Sequence, residues 1–252
     1  MKYYVIGDLH GRYDLLDKAI ERIHDHVDDN SPMSKHGNEP YDYTIITLGD
    51  YIDRGPDSNK IIERLMKEQK DFIEDRFICL QGNHEAMAVE SIVHDLDPDW
   101  WFGNGGDKTL YSYGHLPVTY NARGRRDAYY SLVPSDHVKW MASLPLYYEA
   151  EKQVYVHAGI PQWGMNLPSK KEDLLHKMQW MLYHPADHGG WRGKHVVHGH
   201  HQFSDGPHVW QPGSKGGGRT NLDVWAYKTG RSVIGVFDDT QLTALEFLEV
   251  KV

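Results

Sequence analysis

The chain is poor in cysteine, in long hydrophobic runs and in positive charge. A single cysteine, Cys79, in 252 residues excludes an internal disulfide framework and suits a reducing compartment. No apolar run is long enough to span a bilayer, and the N-terminus does not resemble a signal peptide. We therefore expect a soluble, cytoplasmic protein with no membrane partner. The net charge of −9 argues against binding nucleic acid through a broad basic surface.

Strand and helix patterns alternate through the first half of the chain. Apolar runs predict strands over 3–6, 44–48 and 77–80, and helical spacing follows over 13–26, over 59–69 and from 85 onward. Consecutive β–α–β units imply a largely parallel sheet with ligands outside the carboxyl ends of its strands. Later runs over 154–156, 195–197, 232–237 and 242–248 predict a second sheet. We predict an α/β fold, a two-sheet β-sandwich flanked by helices, as one domain over 1–252.

Five short polar motifs follow predicted strands, in a fixed order. They are GDLHG (7–11), GDYIDRG (49–55), GNHE (82–85), VYVHAG (154–159) and VVHGHH (196–201). A lone Asp-x-His after a strand is usually a turn, but five such motifs in sequence make that interpretation improbable. Carboxylate, carboxamide and imidazole groups without thiolates are suited to Mn, Fe, Zn or Mg.

The spacing of these groups suggests two metal ions. Asp8 and His10 lie two residues apart, so in an extended chain both can reach one ion. Asp50 can bridge two ions with its two oxygens. The second ion would then be held by Asn83, His157 and His200.

Three residues beside these ligands have side chains suited to phosphate chemistry. Arg54 offers a planar fork for phosphate oxygens. His84 could protonate a leaving oxygen, and Asp53 could orient its ring. A salt bridge that holds a loop is the alternative for Arg54, and a merely structural pair is the alternative for His84 and Asp53.

The motifs together resemble the signature of the phosphoprotein phosphatase family of calcineurin-like metallophosphoesterases, in its bacterial and bacteriophage branch. The resemblance runs from about residue 3 to residue 249 and includes WFGNGGDKTLYSYG (101–114) and RTNLDVWAYKTGRSVIGVFDD (219–239). It implies a calcineurin-like fold, phosphomonoester hydrolysis on phosphoserine and phosphothreonine, and in-line attack by a hydroxide that two metals activate.

The resemblance also implies a role for each matching residue. One metal is held by Asp8, His10 and Asp50, and the other by Asp50, Asn83, His157 and His200. His84 is the general acid backed by Asp53, and the phosphate is held by Arg54 and Asn83. We expect two divalent ions, Mn²⁺ first, with Fe or Zn also suitable. The expected partner is a phosphorylated protein or peptide, and the oligomeric state is left open.

Two positions depart from the family pattern. Leu182 stands where the family supplies a second phosphate-binding arginine, and Arg192 is the candidate to replace it. His201 stands where threonine or glutamine is usual, so it either lines the pocket or supports the ligands.

Two further functions stay open. A hydrolase of the diadenosine-tetraphosphatase type shares the metal motifs, although Asp53 and Glu85 are typical of protein phosphatases. A non-catalytic module that binds phosphorylated partners is the other alternative, although all six metal-ligand positions are filled.

Other histidines and aromatic residues have structural interpretations. His195 and His198 are expected to be partly exposed or to support the ligands. Trp100, Trp101 and Phe102 are expected to pack a helix over the sheet, with an aromatic wall beside the substrate as the alternative.

Overall fold

The computed structural model describes residues 1–30, 42–72, 76–94, 98–115, 130–160, 189–213 and 217–252. The strands there are β1 (Lys2–Ile6), β2 (Tyr43–Thr47), β3 (Phe77–Cys79), β4 (Tyr147–Glu149), β5 (Gln153–Val156), β6 (His195–His198), β7 (His208–Trp210), β8 (Arg219–Asn221), β9 (Arg231–Asp238) and β10 (Glu246–Lys251). The helices are α1 (Tyr13–Asn30), α2 (Ser58–Asp71), α3 (Asn83–His94), α4 (Pro98–Gly103), α5 (Gly106–Tyr113), α6 (Ser135–Ser143) and α7 (Ala226–Thr229). Within these residues, no helix is long and apolar enough to cross a membrane.

The strands form two mixed sheets. The first has the order β10-β9-β1-β2-β3, and the second has the order β4-β5-β6-β8-β7. In the first sheet β1, β2 and β3 are parallel, and in the second β5, β6 and β8 are parallel. The alternating strand and helix patterns therefore predicted the central part of the first sheet correctly.

The assignment of the two C-terminal runs to the second sheet is wrong. Strand β9 pairs antiparallel with β1, from Lys2 opposite Asp238 to Ile6 opposite Ile234, and β10 pairs with β9. An apolar run predicts a strand but not its partner, because pairing depends on contacts far apart in sequence. The last strand also begins at Glu246 rather than at 242, because Asp238 Oδ1 accepts the Thr240 N–H and hydroxyl and starts a turn.

Strand β1 is buried on both faces, which explains its unbroken apolar sequence. Tyr3 and Val5 lie in the core between the two sheets, together with residues such as Phe237 of β9. Tyr4 and Ile6 lie on the opposite face, in the core beneath the helices. Helix α1 completes this face with the apolar stripe that its spacing predicted: Leu15, Leu16, Ala19, Ile20 and Ile23.

The polar motifs lie where parallel strands end. The 7–11 and 49–55 motifs follow β1 and β2, and GNHE follows β3 and opens α3. In the second sheet, His157 directly follows β5 and His200 follows β6. Because the sheets pack face to face through the core that contains Val5 and Val197, these carboxyl ends meet at one end of the sandwich.

Candidate active site

The loops that follow the strands are held in strained conformations. His10, Asp50, Asp53, Arg54 and His200 all have positive φ angles, between 45° and 70°. Side chains other than glycine rarely adopt this region, and such residues persist only where the surroundings hold them in place. Five strained residues from three different loops lie at one end of the sandwich, which makes this end the candidate functional site.

Asp50 lies at the centre of the cluster. Its Oδ2 is 3.6 Å from His10 Nε2 and 3.8 Å from His84 Nε2, and its Oδ1 is 3.3 Å from His157 Nε2. Possible ligand atoms lie within 4.8 Å of one another in two groups, His10–Asp50–His84 and Asp50–His157–His200. One carboxylate is thus shared by two sets of imidazoles, which is the arrangement that a bridging ligand requires.

The histidine tautomers direct lone pairs into this cluster. His10 Nδ1 lies 3.0 Å from the Ile52 carbonyl oxygen, and His157 Nδ1 lies 2.9 Å from that of Leu48. A carbonyl oxygen only accepts, so each Nδ1 carries a hydrogen, and in a neutral ring each Nε2 offers a lone pair. His157 Nε2 then faces Asn83 Oδ1 at 2.9 Å as well as Asp50. Acceptor atoms that converge in this way need a cation or a proton between them, so the donor set fits divalent ions.

The electrostatics of Asp50 and His157 also favour positive charge at this point. Burial acts to raise the pKa of Asp50, but His157, His84 and His10 outweigh it and hold that pKa well below the usual range. Burial opposes protonation of His157, yet Asp50 raises its pKa to about 10. Burial lowers the pKa of His200 to about 3, so its imidazole is neutral and available as a ligand.

Asp8 occupies the His200 side of the site. The backbone N–H of His200 donates to Asp8, 3.0 Å from Oδ2 and 3.2 Å from Oδ1. Burial is the main cause that raises the pKa of Asp8 well above the ordinary range, and repulsion from Asp223 is the next. Within the described ranges, Asp8 joins neither ligand group at the 4.8 Å spacing, so its role as a metal ligand stays a prediction.

His84 and Asp53 form a buried hydrogen-bonded pair. His84 Nδ1 donates to Asp53 Oδ2 at 2.6 Å, which directs Nε2 towards Asp50. Burial opposes protonation of His84, but Asp50 and then Asp53 outweigh it and raise its pKa. The indole N–H of Trp101 and the hydroxyl of Thr109 also donate to Asp53, the latter at 2.6 Å.

Sequence reasoning missed these two supports of Asp53. Trp101 is fully buried in α4, so the packing interpretation was right for its ring, but its N–H adds a polar role that no apolar pattern reveals. Trp100, in contrast, is 54% exposed.

The guanidinium of Arg54 joins the two histidines of the first group. Its Nη1 donates to His10 Nε2 at 2.8 Å and its Nη2 to His84 Nε2 at 3.1 Å, while Tyr227 lies 5.1 Å beneath it. The backbone of Arg54 packs so closely on Gly105 that a Cβ there would lie 2.9 Å from the Arg54 nitrogen. The fork therefore lies beside the Asp50 cluster, and its binding to phosphate stays a prediction.

Glu85 connects the loop that follows β2 with the loop that follows β3. Its Oε2 accepts the backbone N–H groups of Gly82 and Asp50, both at 2.9 Å, and its Oε1 accepts that of Tyr51 at 2.8 Å. Burial raises the pKa of Glu85 to about 7. Its carboxylate thus fixes the position of Asp50 relative to Asn83.

The remaining predicted residues have mixed outcomes. The Arg192 guanidinium is exposed and lies 4.6 Å over the Trp191 ring, so its binding to phosphate stays a prediction. Leu182 lies outside the described residues. His195 and His198 are both buried, so partial exposure is excluded, and the other half of that expectation, support of the ligands, stays a prediction. Both interpretations of His201 stay open.

Known proteins resemble this chain along most of its length. The family model of the calcineurin-like phosphoesterases matches residues 1–234. Serine/threonine-protein phosphatase 2 of Escherichia coli (strain K12) is 33% identical over 104 residues, which are 41% of this chain and 38% of that protein. The symmetrical bis(5'-nucleosyl)-tetraphosphatase of Nitrosococcus oceani is 25% identical over 219 residues, which are 86% of this chain and 61% of that protein.

A solved structure agrees with the fold. The cold-active protein-tyrosine phosphatase of a psychrophile Shewanella sp. has a TM-score of 0.58 at 15% identity, over 96% of this chain and 76% of that one. The predicted two-sheet α/β fold is therefore confirmed. The chain matches less than two thirds of the length of either curated relative.

Proposed function

The chain belongs to the calcineurin-like phosphoesterase family, and from this premise we propose that it hydrolyses phosphoserine and phosphothreonine in proteins with the help of two divalent ions. The observation that carries the proposal is the Asp50 carboxylate between two imidazole groups, with Arg54 and the His84–Asp53 pair on one side. We propose Mn²⁺ as the ion, because the ligand set has no thiolate and suits ions of intermediate hardness.

The residues that would hold the ions are the predicted set: Asp8, His10, Asp50, Asn83, His157 and His200. When bound, such ions lower the pKa of water and neutralise phosphate charge. Arg54 would bind a phosphate oxygen through its planar fork and set the orientation of the phosphoryl group.

His84 would move the proton that the reaction needs. Its raised pKa favours protonation, and its Nδ1–H is held by Asp53. Once Arg54 turns from His84 Nε2 to a phosphate oxygen, Nε2 would be the atom that carries the transferable proton. A serine alkoxide is a poor leaving group and needs this proton. A nucleotide released from a polyphosphate leaves as a stable phosphate anion and needs it far less. A well-supported acid at this place therefore favours phosphomonoesters of serine and threonine.

The Nitrosococcus relative supports a second candidate, hydrolysis of dinucleoside tetraphosphates, because its match covers more of this chain than that of the Escherichia phosphatase. The decisive experiment measures product release by metal-stripped protein, with and without Mn²⁺. The substrates are a phosphoserine peptide, a phosphotyrosine peptide and diadenosine tetraphosphate.

We expect Mn²⁺-dependent turnover of the phosphoserine peptide, and its loss in Asp50→Asn. Turnover of the dinucleotide alone would replace the proposed substrate class but keep the metal-dependent chemistry. Binding of phosphopeptides without turnover, in wild type as in Asp50→Asn, would favour a non-catalytic module.

A further inference from the structure

Asp223 is a buried carboxylate with one oxygen in use. It follows β8 and is 1% exposed. Its Oδ1 accepts the backbone N–H of Trp225 at 2.8 Å. Its Oδ2 is buried and has no hydrogen-bond partner among the described residues. Burying a carboxylate oxygen without a donor or a cation is costly, so Oδ2 requires a partner that the polypeptide there does not supply.

The backbone places Asp223 next to Asp8. Gly7 packs against Leu222 so tightly that a Cβ at position 7 would lie 2.5 Å from the Leu222 carbonyl oxygen. Asp8 directly follows Gly7, and Asp223 directly follows Leu222. Each of the two carboxylates comes after a strand whose carboxyl end faces the site.

The residues of the Asp50 cluster act on Asp223. Burial raises the pKa of Asp223 to about 6, Asp50 adds to this rise, and His157 opposes it. Burial also raises the pKa of Asp8, and Asp223 is the next cause of that rise. Each carboxylate thus disfavours the charge of the other, and a divalent cation is the partner that would let both stay ionised.

We propose that Asp223 is a further anionic group of the metal centre, and that its Oδ2 binds a hydrated divalent cation beside Asp8. The inference rests on the metal centre of the proposed function. A purely structural role is the alternative, because Oδ1 forms a turn. That role uses Oδ1 alone, as Asp238 shows at the far end of β9, where Oδ1 accepts the backbone N–H of Thr240 at 2.9 Å.

Asp223→Asn separates the two roles, because asparagine keeps an oxygen for the Trp225 N–H and loses the anionic oxygen. Mn²⁺ binding is titrated calorimetrically into the metal-stripped full chain. Loss of a group that supports metal ligands typically lowers metal affinity about 10- to 100-fold, and we expect this loss in Asp223→Asn. The matched control, Asp238→Asn, changes a carboxylate with the same turn contact and should bind Mn²⁺ like the wild type.

Thermal unfolding supplies a second measurement. Without metal, Asp223→Asn should melt at or above the wild-type temperature, because repulsion with Asp8 is removed, and the rise in melting temperature on adding Mn²⁺ should be smaller. Wild-type Mn²⁺ affinity in Asp223→Asn would overturn the inference alone. So would a lower metal-free melting temperature with an unchanged Mn²⁺-induced rise. Failure of the wild type to bind Mn²⁺ would overturn the metal centre and this inference together.

Discussion

Replacing Thr109 by valine should weaken the support of His84 without changing the shape of the site. The Thr109 hydroxyl donates to Asp53 Oδ1 at 2.6 Å and accepts the Asp53 backbone N–H at 2.8 Å. Both residues are almost completely buried. Valine has nearly the same volume but no hydroxyl, so a hydrogen bond to a buried carboxylate is lost, which costs about 1.5–3 kcal/mol.

Two donors to Asp53 remain in this variant, His84 Nδ1 and Trp101 Nε1. If the whole of a loss of about 2 kcal/mol acted on the position of His84, the rate with a poor leaving group would fall by about 30-fold, which is an upper limit. Because the remaining donors hold Asp53 in part, we expect a fall of about tenfold. The free energy of unfolding should decrease by about 2 kcal/mol.

The assay compares kcat for a phosphoserine peptide with kcat for p-nitrophenyl phosphate, whose leaving group scarcely needs a proton. Thr109→Val should lower the first much more than the second. Thr220→Val is the matched control, since it removes a buried hydroxyl that lies 2.8 Å from His195 Nε2. It should also lose about 1–3 kcal/mol of stability but keep the ratio of the two rates. Equal losses for both substrates in Thr109→Val would refute the reasoning.

Three further predictions follow from single contacts. His84→Asn should reduce turnover of a phosphoserine peptide more than that of p-nitrophenyl phosphate, and equal losses in steady-state kinetics would count against its acid role. Gly7→Ala should lower the urea midpoint by the equivalent of about 1–3 kcal/mol, because its methyl group would lie 2.5 Å from the Leu222 oxygen; an unchanged midpoint would contradict the close packing. Burial lowers the pKa of His195 from 6.5 to about 4, so between these pH values the unfolded chain binds more protons than the folded one. The stability that this residue contributes above pH 6.5 is therefore lost as the pH falls, and the loss is about 2 kcal/mol at pH 5. Urea titrations at pH 7 and pH 5 should show a smaller loss in His195→Asn than in the wild type, and an equal loss would refute this assignment.

Local sequence patterns determined the elements that carry the site. Apolar runs marked β1, β2 and β3, and the residues that follow them were known to lie at strand ends before any contact was known. The types of those residues, a carboxylate, a carboxamide and imidazoles, indicated a metal centre around Asp50, and the structure brings His10, His157 and His200 to that carboxylate. The strands could be predicted because periodicity is a property of neighbouring residues, whereas the role of each metal ligand stays a prediction.

Only the tertiary structure decided which strands pair and which distant side chains meet. The pattern of β9 predicted a strand, but its place beside β1 depends on contacts more than 200 residues apart in sequence. The sequence predicted only packing for Trp101 and no role for Asp223, because no residue near either one in sequence indicates its partner. Trp101 donates to Asp53, whereas Asp223 Oδ2 is buried without a hydrogen-bond partner in the part of the chain that the structure describes, and both outcomes follow from how the loops and sheets pack. A pattern of burial specifies which face of an element is covered, whereas the free energy of long-range packing selects what covers it.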